Sequence, residues 1–158
     1  MNVTYTVDLD MTEFQKYVKN VDQAYAQVGV LGGAGGKDVK TIAEYAVAHE
    51  FGSISHHLPR RSFLKDPLEK HLGDEIKSAK ETLLKNLEAG NIKKAVAILG
   101  MKGVEIVKKA FETSNDGDWP DLSPATIAAM SEDRQKGWKI LVDSGALQSS
   151  ITSKVIVK

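Results

Sequence analysis

Apolar side chains take every second position of Val3-Thr4-Tyr5-Thr6-Val7-Asp8-Leu9, the period of a strand with one buried face. Thr12-Glu13-Phe14-Gln15 has the form of a capping box, and Phe14, Val18, Val21 and Tyr25 then step by three or four residues. The spacing predicts a helix from Thr12 that ends before Gly29, followed by a short strand at Val28-Gly29-Val30-Leu31. The run Gly32-Gly33-Ala34-Gly35-Gly36 offers nothing to pack, so a flexible loop is expected over 32–36. Asp38 stands where it would cap a helix through Ile42, Ala43 and Ala46, with Gly52 closing it in a left-handed C-cap. The stretch Tyr45-Ala46-Val47-Ala48 fits a strand equally well by period, and Ser53 to Ser62 reads as irregular.

The strongest periodicity lies in the middle of the chain. From Phe63, the positions Leu64, Leu68, Leu72, Ile76, Ala79, Leu83 and Leu87 trace one side of a long helix, which Gly90 closes. Asn91 is then placed to cap a second helix bearing Ile92, Val96, Leu99, Val107, Ala110 and Phe111 on one side. Gly100 and Gly103 each cost this helix about 1 kcal/mol relative to alanine, which argues for a close backbone approach there. Joined by a tight turn, the two helices form an antiparallel hairpin. Ser123 followed by Pro124 starts a short helix after a turn at Gly117 and Pro120 around Trp119, and Asp143-Ser144-Gly145 makes a further turn. Lys154-Val155-Ile156-Val157-Lys158 alternates like a strand. The expected fold is therefore α+β: a small antiparallel sheet from N- and C-terminal strands against a long helical hairpin, in one domain over 1–158.

Composition narrows the chemistry. The 158 residues contain no cysteine, which excludes disulfides and thiolate metal sites, and no run approaches the ~20 apolar residues of a membrane span. Basic and acidic side chains balance at 21 each, but unevenly. Residues 60–110 carry 12 basic and 7 acidic groups, against 4 and 7 in 1–59 and 5 and 7 in 111–158. A basic centre with acidic flanks fits electrostatic complementarity between copies or a surface beside DNA; lysines solvating the outer sides of two helices give the same counts.

Candidate catalytic groups lack the required spacing. His49-Glu50 would need a histidine at position 53 for a zinc-protease helix, and that position is serine; His49, His56 and His57 offer an alternative, a metal-dependent hydrolase site, if the loop brought them together. No Gly-x-Ser-x-Gly elbow occurs. Counting from Asp116, the twelfth position is Ile127 where a calcium loop needs glutamate, so Asp116, Asp118 and Asp121 read as turn and capping carboxylates. No catalytic, cofactor-binding or metal residue is assigned.

Four segments stand out: His49-Glu50-Phe51-Gly52; Pro59-Arg60-Arg61-Ser62-Phe63; Trp119-Pro120-Asp121-Leu122-Ser123-Pro124-Ala125-Thr126; and Leu141-Val142-Asp143-Ser144-Gly145-Ala146-Leu147. In this order they resemble the virion morphogenesis, or tail-completion, proteins of tailed bacteriophages, over roughly residues 42 to 152. Ser62 stands where that pattern has proline, and Ser144 where it has threonine. The resemblance implies a structural, non-enzymatic component of the neck or head-proximal tail end. It would assemble as a homo-oligomeric ring, with other phage neck or tail proteins as partners, DNA passing through, no cofactor and no membrane. Its location would be the host cytoplasm during assembly and then the virion. Phe63 and Trp119 are expected in the core. Arg60 and Arg61 have two readings, covering Phe63 while pairing with Glu50 or Asp66, or latching onto an acidic residue of the next copy.

Overall fold

The computed structural model describes residues 24–31 and 38–157. The strand and helix expected between Val3 and Val21 and the glycine run at 32–36 lie outside these residues. Strand β1 (Ala24–Val30) is followed by helices α1 (Val39–Phe51), α2 (Lys65–Glu88) and α3 (Ile92–Thr113). Three short helices, α4 (Pro124–Ala128), α5 (Glu132–Gln135) and α6 (Ala146–Ser150), lead to strand β2 (Ile151–Val157). The strands pair antiparallel, from Ala24 opposite Val157 to Val30 opposite Ile151. The fold is α+β, a two-stranded sheet laid on a long antiparallel helical hairpin.

Contact between sheet and hairpin is set by two glycines. A Cβ built on Gly100 would lie 3.0 Å from the Ser153 side chain and 3.2 Å from the Ala26 Cβ; one on Gly103 would lie 2.9 Å from a Val28 methyl. Side chains here would lift the strands off α3, so the helix gives up propensity for proximity. On either side of this seam Phe63, Leu68, Val107, Phe111, Trp119, Leu147 and Ile151 form one continuous core.

Helix ends follow the local chemistry with two exceptions. Asp38 caps α1, accepting the Thr41 N–H at 2.9 Å, and Ser123 caps α4 through the Thr126 N–H at 3.1 Å. Gly90 takes φ 73°, with the Asn91 N–H on the Asn86 carbonyl at 2.8 Å and the Gly90 N–H on that of Leu87 at 2.9 Å, which ends α2 in a Schellman motif. Asn91 holds the N-cap position of α3, but its side chain makes no capping bond; only its carbonyl is used, by the Lys94 and Ala95 N–H groups. Gly52 has φ 75° and ψ 171°, extended mirror-image backbone rather than the expected left-handed cap, because the chain turns straight into a hairpin.

Further departures come from tertiary context. Tyr25 continues the helical period of Phe14, Val18 and Val21, yet it lies in β1 opposite Ile156. Backbone pairing with β2 outweighs one more helical contact there. The ambiguous run at Tyr45 is helical. Ser53 and Leu58 exchange backbone bonds of 2.9 Å each, making the irregular stretch a tight hairpin with Ile54 to His57 at its tip. After α3, Ser114, Asn115, Asp116 and Gly117 all have positive φ (53°, 53°, 58° and 86°), one turn of left-handed backbone. Three of these are not glycine, at roughly 1 kcal/mol or more each. The Trp119 N–H closes the turn on the Ser114 carbonyl at 3.2 Å, which returns the chain to the core.

Candidate functional site

Glu50 lies in the last turn of α1 with its carboxylate bonded to the start of α2. It is 7% exposed. One oxygen accepts the Ser62 hydroxyl at 2.7 Å and the Lys65 N–H at 3.0 Å; the other accepts the Phe63 and Leu64 N–H groups, both at 3.0 Å. The first turn of a helix has amide hydrogens without helical partners and a partial positive charge, so a carboxylate is stabilised there. The accounting for α2 is complete. Lys65 is served by Glu50, Asp66 by the Ser62 hydroxyl oxygen at 3.0 Å, Pro67 has no N–H, and Leu68 reaches the Leu64 carbonyl at 3.4 Å. Ser62, a departure from the phage pattern, thus donates to Glu50 and accepts from Asp66. A proline in its place could do neither.

Arg61 and Trp119 tie the second segment to the third. The Arg61 side chain, 4% exposed, donates through Nε to the Pro120 carbonyl at 2.8 Å and through Nη2 to the Asp121 carbonyl at 2.9 Å, while its backbone N–H binds the His49 carbonyl at 2.8 Å. The Trp119 indole N–H donates to the Ser62 carbonyl at 2.9 Å. Its ring stands edge-on to Phe111 at 5.7 Å, and Phe111 lies 5.4 Å from Phe63. Phe63 and Trp119 are both buried, as expected. Arg60 behaves differently from its neighbour: it makes a two-pronged pair with Asp66 at 2.8 and 2.6 Å near the surface and holds the Asp66 carboxyl below its usual range. Neither arginine bonds Glu50. Arg61 is occupied within its own chain, which leaves Arg60 as the outward-facing member of the expected latch.

The fourth segment joins the same core. Lys139 to Val142 makes a turn in which Leu141, at φ 62°, is pushed inward, and Leu141 and Leu147 are both buried. Gly145, at φ 71°, precedes α6 and accepts the Ser149 N–H at 2.9 Å. Asp143 lies close enough to Tyr45 to add to the upward shift that burial imposes on that phenol. Tyr45 in turn stands edge-on to the His49 ring at 4.4 Å. His49 is buried with Nδ1 lacking a partner, and burial, then the Arg61 charge, lowers its pKa from 6.5 to about 4. His49 is therefore a neutral wedge between α1 and the arginine at ordinary pH.

The remaining signature residues are peripheral. Phe51 and Pro59 are exposed, Leu122 is half-buried, and Ser123 and Thr126 bond each other at 2.8 Å at the start of α4. Gly52 is required by geometry: a Cβ there would sit 3.0 Å from the Arg60 nitrogen and 3.1 Å from the Leu58 carbonyl oxygen. His56 and His57 lie at the exposed hairpin tip, whereas His49 is buried on α1. Among the described residues no three His, Asp or Glu side chains are placed to hold a metal ion together. Asp116 pairs with Lys70 and His71 at 2.9 Å each and Asp118 with Lys70 at 3.1 Å, so these turn carboxylates anchor the left-handed turn to α2. Sequence patterns missed this anchoring and the part played by Ser62; a serine four residues ahead of an aspartate that precedes a proline at a helix start was the available signal for the latter.

No described helix is long and apolar enough to cross a membrane. No family model, curated protein or solved structure matches the chain.

Proposed function

We propose that the protein is a structural, non-enzymatic component of a phage particle, a ring subunit at the neck or head-proximal tail end that completes the tail or joins it to the head. The observation that supports this most is the mutual locking of the four motif segments. Glu50 of the first holds the Ser62–Lys65 turn of the second. Arg61 and Ser62 of the second hold Trp119 to Asp121 of the third, and Leu141 and Leu147 of the fourth belong to the same core as Trp119. Segments up to about a hundred positions apart thus behave as one structural unit, as a family signature that specifies a fold would. Glu50, Arg61, Ser62 and Trp119 spend their polar groups on these motif segments rather than around an open cleft, which favours a scaffold over a catalyst. A hydrolase built on His49, His56 and His57 lacks a comparable supporting contact.

A ring requires heterologous contacts whose rotation closes. The test is native mass and electron microscopy of the purified protein over a range of concentrations, with and without tails from particles that lack it. Closed rings that bind the tail end and restore head joining are expected. Protein that stays monomeric at every concentration, with particles that mature normally in its absence, would overturn the assignment.

A further inference from the structure

We draw no further inference here: the strongest candidate, the acidic cleft of about 100 Å³ between α2, α3 and the left-handed turn after α3, carries nothing, because Lys102 already binds Glu75 and Glu105, Lys70 and His71 already bind Asp116, and the unpartnered Oδ1 of Asn115 is itself buried, so the cleft favours a ligand of neither charge.

Discussion

Replacing Glu50 by glutamine tests the central joint of the fold more sharply than replacing it by alanine. Both carboxylate oxygens act only as acceptors, from one hydroxyl and three backbone N–H groups, in a site 7% exposed. Glutamine has nearly the same volume but turns one acceptor into an NH2 donor, which would face the Phe63 and Leu64 N–H groups in one orientation and the Lys65 N–H and Ser62 hydroxyl in the other. It also removes the negative charge at the start of α2. Hydrogen bonds to a charged group contribute about 1.5–3 kcal/mol each, and buried donors left unpaired cost about 1–3 kcal/mol each. Because the bonds act as a unit, the whole loss should be about 3–5 kcal/mol for Glu50→Ala and at least about 2 kcal/mol for Glu50→Gln. Against a typical margin of 5–15 kcal/mol either would be severe. Urea unfolding followed by tryptophan fluorescence should show the midpoint of the glutamine variant falling by about 1 M or more, at a slope near 1.5–2 kcal/mol per M. A glutamine variant within about 0.5 kcal/mol of the unaltered protein would mean that Glu50 matters only for packing, and the capping account would be wrong.

The other expectations concern a histidine, a pair of glycines and the aromatic core. His49 binds its proton less tightly folded than unfolded, so its contribution to stability is complete above pH 6.5 and is lost as pH falls toward about 4. The unaltered protein should lose up to about 3 kcal/mol more than His49→Gln between pH 7 and pH 4 in urea melts; parallel curves for the two would refute the neutral wedge. Gly100→Ala and Gly103→Ala should each destabilise by about 1–2 kcal/mol despite better helix propensity, because Ser153, Ala26 and Val28 stand in the way. Gly73→Ala, in α2 with nothing within 4 Å of the new methyl, should stabilise by about 0.5–1 kcal/mol in the same thermal melts, and a uniform sign across all three would contradict the close approach. Phe63→Ala should cost about 3–5 kcal/mol, and Trp119→Phe about 1–2 kcal/mol through the unpaired Ser62 carbonyl, both read from chemical denaturation. Values below about 1 kcal/mol for Phe63→Ala would place that ring outside the core.

The fold class was legible along the chain because its signals are local. A leucine every three or four residues marks the long helices, Gly90 marks the turn between them, and Asp38 and Ser123 cap the helices that follow by accepting the N–H three residues on; each depends on groups within a turn of one another. Even the glycines of α3 betrayed a close neighbour without saying which. Their neighbour, the strand pair of β1 and β2, joins residues more than a hundred positions apart, and that pairing drew Tyr25 out of a helical pattern into a strand. The candidate site was readable as residues but not as a mechanism. Glu50 was marked beside His49 and a glycine, yet its partners lie 12–15 residues on, and Arg61 was drawn toward carboxylates when its partners are carbonyls 59 and 60 residues away. Residue order alone thus determined periods, caps and turns, whose energies arise between neighbours in sequence. Only the tertiary structure decided where each buried donor and charge finds its partner, because that choice belongs to the packed chain as a whole.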